Sequence, residues 1–498
     1  MRIFFILLHR YLGMALALVF VIWFASGFTI IYTGGMPELS PRERLAGLPD
    51  LDLESIKLTP WEAQRILSAS SEPTLTTVMG RPAYQFYGGY GGVVFADQGN
   101  VLTQSMISSR QIVAEFTGAP GNLIERVGSI EELDQWTIAL REELPLEKFR
   151  VNDGNGTEVY VSPKWGKVLL LTDTKDRFLA WVGAIPHWLY FVDLRKNIGL
   201  WAKVVVWISY LGLTLLSFGL ILVFNRLRLT KLFSRSKVIF YEGVLRWHVL
   251  TGLFFGVFTL AWVFSGLLSM EPYAWNRAEG VSFDRTLFQG GQLELAHFDA
   301  INDATLQQDL RQVFKNTPIK EIEFRRLQGN HFLNLVVPSL ESTWGFDNQL
   351  FDIESYQVKK DFFSADFVRQ QIEEHKIATI LSSEILQEYD NYYYSRSTAR
   401  APSLPLPVLR IDFKDEMSSS IYVDLNTGEL VHQTNRLGRV ERWLYKGLHS
   451  LDFGPWYAKR PLWDIVVIIL LTGGLLLSLI GTYIGMKRIY LSTRKLIP

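Results

Sequence analysis

Four stretches of the chain are almost wholly apolar: residues 12–32, 204–224, 249–270 and 465–486. Each reaches the roughly 20 residues a helix needs to cross the hydrocarbon of a bilayer. The first run is too long for the apolar region of a signal peptide, and no small-x-small cleavage site follows it cleanly, so it reads as a retained span. Between the runs the pattern changes. "TPWEAQRILSAS" from Thr59 has the cap and spacing of an amphipathic helix, and "ATLQQDLRQVF" from Ala304 repeats it. "TLTTVMGRPAYQFYGGYGGVVFADQGNVL" from Thr74 reads as short strands with glycine turns. "FRVNDGNGTEVYVSPKWGKVLLL" from Phe149 alternates like hairpins. "IKEIEFRRLQGNHFLNLVVP" from Ile319 and "VLRIDFKDEMSSSIYVDLNTGELV" from Val408 supply the strands of the second half.

The pattern predicts an integral membrane α-helical protein with four spans and two α+β domains outside the bilayer. Its expected parts are 1–33 (first span), 34–200 (first polar domain), 201–224 (second span), 225–248 (loop), 249–270 (third span), 271–462 (second polar domain) and 463–498 (fourth span and tail).

The two halves resemble each other. With His9 placed over His248, Gly13 falls on Gly252, Trp23 on Trp262, Ser26 on Ser265 and Gly27 on Gly266. With His187 placed over His449, Arg177 falls on Arg439, Trp181 on Trp443, Phe191 on Phe453 and Trp201 on Trp463. Backwards in the same register Tyr160 meets Tyr422 and Gly166 meets Gly428. The expectation is a parallel tandem repeat, joined near residues 230–240, with a pseudo-two-fold axis along the membrane normal.

Charge sets the expected orientation. The 50 basic and 50 acidic residues cancel, so no global field favours nucleic acid. The loop between spans two and three carries Arg226, Arg228, Lys231, Arg235 and Lys237, and the tail carries Lys487, Arg488, Arg494 and Lys495. Arg2 lies on the same side, which the positive-inside rule makes cytoplasmic. Both termini are then cytoplasmic and both polar domains periplasmic, in the inner membrane of a Gram-negative cell. The chain has no cysteine, which excludes disulfides, iron–sulfur clusters, cysteine-ligated zinc and covalent c-type haem. A redox centre would have to use histidine.

There are eight histidines. His297, His331, His375 and His432 have no repeat partner and read as ordinary surface or turn residues. His9 and His248 each open a span at the cytoplasmic side, and His187 and His449 each precede a span at the outer side. A two-fold axis would make each couple face itself, giving two sites of two imidazoles. Neutral imidazole suits the iron of b-type haem, and helical bundles hold cofactors between facing helices. Gly13 and Gly252, one turn beyond the histidines, would leave room for a macrocycle. The Ser–Gly pairs at 26–27 and 265–266 read as equally suited to close helix approach. Arg10 and Arg246 inside, and Arg177, Arg439 and Lys446 outside, are candidates to meet haem propionates. Two bland alternatives stand beside this: interfacial histidines that anchor helix ends, and a zinc or copper site built from the same side chains. Trp23, Trp262, Trp201 and Trp463 read either as interface anchors and packing or as aids to electron transfer.

The residues around these histidines carry a family resemblance. "LHRYLGMALALVFVIWFASG" and "WHVLTGLFFGVFTLAWVFSG" resemble the PepSY-associated transmembrane family, in which a histidine begins a span ending in a small residue and glycine. "IYVDLNTGELV" is similar to the strand–turn–strand signature of a PepSY domain, and "WLYKGLHSLDFGPWYAKRPLW" to the family's Leu-His segment before its last span. The resemblance covers nearly the whole chain. It implies periplasmic PepSY-like domains and two haems b with His9, His187, His248 and His449 as ligands. "IPHWLYFVDLRKNIGLW" departs from the pattern, with Pro186 in place of the usual leucine before the histidine. The family includes iron-regulated membrane proteins and ferric-siderophore reductases. The implied activity is an oxidoreductase passing electrons from a quinol or cytoplasmic flavin donor to a periplasmic acceptor, foremost a ferric siderophore. "DNYYYSR" from Asp390 and "GRPAYQFYGGYGG" from Gly80 are aromatic candidates for docking it. The rival expectation is a non-enzymatic PepSY module that binds or regulates a periplasmic protein. A transporter is disfavoured, since no acidic residue lies deep in a span.

Overall fold

The computed structural model describes residues 2–88, 91–224, 241–271, 281, 286–315, 317–361, 363–396, 402–457 and 459–493. The basic loop residues from Arg226 to Lys237, the proposed repeat junction, and Arg494 and Lys495 lie outside the described residues.

The chain divides into two compact units. The first comprises Met1–Met36, Lys175–Asn276 and Leu437–Pro498. Among the described residues it contains four helices long and apolar enough to cross a membrane: Arg2–Thr33, Ile198–Phe224, Gly243–Leu268 and Leu462–Thr493. They pack as a ring, the first span against the second and fourth, the third against the same two. The first and third spans are therefore diagonal neighbours across the bundle. The middle of the bundle is filled by Leu16, Phe20, Phe24, Leu215, Val263, Val467 and Leu471. Gly474 admits the Phe24 ring, since a Cβ there would lie 2.2 Å from Phe24 Cε1. Leu18, Trp207, Phe254 and Ile469 face outward and exposed, which suits lipid rather than water.

The second unit comprises Pro37–Thr174 and Arg277–Arg436. The segments carrying His187 and His449 thus belong with the spans, although the sequence pattern had grouped them with the polar stretches. The strands of this unit are β1 (Pro73–Val78), β2 (Arg81–Phe86), β3 (Gly92–Phe95), β4 (Ile124–Ile130), β5 (Leu146–Val151), β6 (Thr157–Ser162), β7 (Lys167–Thr172), β8 (Glu321–Leu327), β9 (Asn330–Pro338), β10 (Phe346–Asp352), β11 (Gln357–Val358), β12 (Ile380–Leu386), β13 (Val408–Phe413), β14 (Ser420–Asp424) and β15 (Leu430–Thr434). They form a seven-stranded sheet in the order β11-β10-β9-β8-β1-β2-β3 and two four-stranded meanders, β4 to β7 and β12 to β15.

The large sheet draws on both halves of the chain. β1 pairs antiparallel with β8, Thr74 opposite Glu323 and Leu75 opposite Ile322. Behind the sheet lies one core, in which Leu75, Tyr84 and Phe86 meet Ile322, Phe324 and Leu335. The two amphipathic helices flank it as the pattern predicts. Thr59 caps helix Pro60–Leu67 in a capping box with Glu62, and Asp303 caps helix Ala304–Val313. Arg44 clamps Glu321 with two parallel hydrogen bonds of 2.5 and 2.7 Å, a second tie between the halves.

Candidate functional site: two facing histidine pairs

His9 lies near the start of the first span and His248 near the start of the third. Because these helices are diagonal, the rings face each other, with centroids 6.3 Å apart. At the other end of the bundle His187, in the short helix Ala184–Trp188, faces His449, in the turn Leu448–Ser450, with centroids 6.2 Å apart. The first span joins the two places: residues 9 and 26 are about 25 Å apart along a helix rising 1.5 Å per residue. Ser26 touches His187, so the pairs sit at opposite ends of the bundle.

Three of the four rings are held at Nδ1. His9 Nδ1 donates to the Leu215 carbonyl at 3.0 Å. His187 Nδ1 lies 3.2 Å from the Trp23 carbonyl and 3.0 Å from Ser26 Oγ. His449 Nδ1 lies 3.1 Å from Ser265 Oγ, and the ring also bonds the Trp262 carbonyl. An N–H at Nδ1 leaves Nε2 as the atom with a free lone pair, the tautomer that binds a metal. Only His248 Nδ1 is buried with no partner. Burial and the neighbouring His449 push the His187 imidazole down to about 4, so it is neutral at physiological pH.

The local backbone explains how His187 and His449 are presented. Each is followed, two residues on, by a leucine in the left-handed conformation: Leu189 at φ 54° and Leu451 at φ 49°. This turn ends the short helix and swings the chain toward the next span. An indole secures it both times: Trp201 Nε1 donates to the Trp188 carbonyl at 2.9 Å, and Trp463 Nε1 to the Leu451 carbonyl at 3.1 Å. A π-helical turn, Arg442–Gly447, leads into His449. Beside it the buried Arg442 donates to the Asp452 carbonyl at 2.8 Å and to Asp452 Oδ1 at 3.1 Å.

The spacing of the rings would let both imidazoles of a couple reach one metal. A metal–imidazole bond is about 2.0 Å and a ring centroid lies about 1.2 Å from its nitrogen, giving centroids about 6.4 Å apart. Zinc at a structural site takes four protein ligands. Among the described residues no group of three or more His, Asp or Glu side chains converges to hold a metal. The donor sets therefore fit a centre that brings its own equatorial ligands better than a bare zinc or copper ion.

The arrangement decides between the expected roles of several residues. Ser26 and Ser265, which the sequence offers as packing, are histidine partners. Gly13 and Gly252 make ordinary contacts: a Cβ on either would meet its nearest neighbours, Leu215 and Leu477, at 3.7 Å. The close approach falls instead at Gly219, where a Cβ would lie 2.7 Å from His9 Cε1; its counterpart Gly481 faces His248 Cε1 at an ordinary 3.4 Å. "SFGLIL" and "SLIGTY" carry that signal, but only once the partner span is known. Arg10 is half-buried and Arg246 exposed, each on the helix of its own histidine; Arg177 and Arg439 are half-buried and Lys446 exposed, outside the spans.

The chain as a whole can now be placed. The sequence profile of the PepSY-associated TM region matches residues 6–488, from before His9 to beyond the fourth apolar run. The chain belongs to that family. As a PepSY-associated TM protein with four apolar helices it is a multi-span membrane protein. No curated protein matches it.

The remaining candidates fall elsewhere in this PepSY-associated TM protein. Tyr84 and Phe86 of the first aromatic segment are core residues, as is Tyr393 of the second, which stacks on Tyr422 at 5.0 Å. Tyr87 of the first segment is exposed and Tyr392 and Tyr394 of the second are half-buried; Gly89 and Tyr90 lie outside the described residues. His331 is not a surface residue: it is 7% exposed on β9 and stacks on His297 at 4.1 Å. His375 caps helix Ala365–Glu374, and His432 packs against Tyr393 and Tyr422. The polar unit also holds a cleft lined by Arg44, Thr76, Gln85, Glu115, Lys167 and Glu321. Burial there pushes the Lys167 ammonium down to about 8, while its Nζ donates to Tyr87 Oη at 2.9 Å.

Proposed function

We propose that this protein is a haem b reductase of the bacterial inner membrane. It takes electrons from a quinol or flavin donor and gives them, one at a time, to a periplasmic acceptor, foremost a ferric siderophore. His9 with His248, and His187 with His449, would hold the two haems. When bound, haem b supplies reversible one-electron Fe(III)/Fe(II) chemistry at each end of the bundle. The observation that carries the reading is the matched pair spacing, 6.3 and 6.2 Å, with the Nδ1 of three of the four rings tied down.

The chain's own residues do the rest. The Nδ1 contacts fix the tautomer and orientation of the rings that make them. The packed middle of the bundle excludes water between the two ends. Arg10 and Arg246 at one end, with Arg177, Arg439 and Lys446 at the other, are the candidate cations for carboxylates at those ends. The benefit to iron uptake is chemical: hard oxygen donors hold Fe(III) far better than Fe(II), so an electron accepted by the chelated iron loosens it.

Corresponding contacts in the two halves support this reading and the tandem repeat that goes with it. At one constant shift Leu189 corresponds to Leu451 and Trp201 to Trp463, each couple making the same kind of contact, and Gly219 and Gly481 each lie against a histidine ring. At the other shift Ser26 corresponds to Ser265 and Trp23 to Trp262, again with like contacts. The two polar segments would then be PepSY-like domains facing the periplasm, with both termini cytoplasmic.

The test is transfer itself. Proteoliposomes given a quinol and a ferric siderophore should release Fe(II) to an Fe(II)-specific chelator, and His449→Ala should abolish release. Equal release from parent and variant would contradict the reading. A colourless, inactive preparation would favour the non-enzymatic PepSY module.

A further inference from the structure

The two ends of the bundle treat their histidines differently. Where the chain leaves the spans for its polar segments, both imidazoles have a serine hydroxyl at Nδ1 and bond a tryptophan carbonyl as well. At the end nearer the termini, His9 has one carbonyl and His248 Nδ1 has none. The serines are built in: Ser26 is 2% exposed and Ser265 is fully buried.

The carbonyls give the direction of each bond, since a carbonyl only accepts and its imidazole partner must carry the hydrogen. Ser26 Oγ donates to the Ile22 carbonyl at 2.7 Å, and Ser265 Oγ to the Trp262 carbonyl at 3.0 Å. A hydroxyl has one hydrogen, and here the span's own backbone takes it. The oxygen therefore accepts from the histidine. His187 Nδ1–H and His449 Nδ1–H are both donors, each to a hydroxyl oxygen.

Resting on the haem reading above, we propose that Ser26 and Ser265 are positioning residues that lower the reduction potential of the centre between His187 and His449. Hydrogen bonds accepted from Nδ1–H push electron density toward Nε2 and make the imidazole a more basic ligand. A more basic ligand favours the ferric state over the ferrous. The centre from which electrons leave thereby becomes the stronger reductant. That is what a ferric chelate demands, because the oxygen donors that stabilise Fe(III) make it a weak oxidant. The centre between His9 and His248 gains less of this effect.

Redox titration of the purified full-length protein in lipid nanodiscs, followed by its visible spectrum, separates the possibilities. Ser26→Ala and Ser265→Ala should each raise the midpoint potential of one haem, the one lost in His449→Ala, and leave the other unchanged. The ferric electron paramagnetic resonance of that haem should shift with it, as imidazole character weakens. Ser26→Cys and Ser265→Cys keep the volume but accept hydrogen bonds poorly. They should move the same haem the same way, and they decide the matter if the alanine variants fail to load. Two haems in the parent with neither potential moved by the loaded variants would overturn the role of the serines alone. A parent protein without haem would overturn the functional reading, and this inference with it.

Discussion

Gly219 leaves His9 no spare space. A Cβ there would lie 2.7 Å from the ring's Cε1, a distance real side chains do not tolerate, whereas Gly13 has nothing nearer than 3.7 Å. Gly219→Ala should therefore displace His9 and cost the haem at that end, while Gly13→Ala should load normally. Haem per protein in the two variants checks this, and full loading of Gly219→Ala would contradict it. The contrast marks where single residues were legible. The four histidines stand out because their spacing recurs in both halves. Gly219 and the two serines do not, because a small residue in an apolar run reads as helix packing. Its true partner lies on another element, and no local pattern names it.

At the scale of elements the capped helices were the easiest to read. Ser/Thr/Asp caps and a glutamate three residues on are local signals, and helix Pro60–Leu67 carries both. The short segments that present His187 and His449 were not legible. Their helices end at left-handed leucines, which propensity disfavours and only tertiary contacts hold. In the second half the hold includes the buried Arg442–Asp452 pair. Removing one partner of such a pair leaves an uncompensated charge and costs about 3–5 kcal/mol. Asp452→Asn and Arg442→Met should each lower thermal stability by that order and loosen His449. The double variant Arg442→Met/Asp452→Leu should recover much of the loss. Thermal unfolding in nanodiscs measures all three. Single variants as stable as the parent would show that the pair holds nothing.

The whole molecule shows what patterns along a chain can and cannot convey. Four apolar runs were enough to find the spans, since burial in lipid leaves a continuous signature. Two polar segments suggested two separate domains. Instead they share a sheet through β1 and β8, whose paired residues Thr74 and Glu323 are remote in sequence. Alternation announces a strand but not its neighbour. The same limit hid the clamp of Arg44 on Glu321. The histidine pairs escaped it only because the spacing around them recurs in the two halves, so likeness of spacing stood in for contact.

The central claim is that each couple of imidazoles grips one haem. Its most direct test is the haem content and the reduced-minus-oxidised spectrum of the purified protein. The account predicts two haems per chain, with the red-shifted, split band of bis-imidazole coordination, falling to one in His449→Ala and to one in His248→Ala. A protein without haem, or content unchanged in both variants, would contradict it.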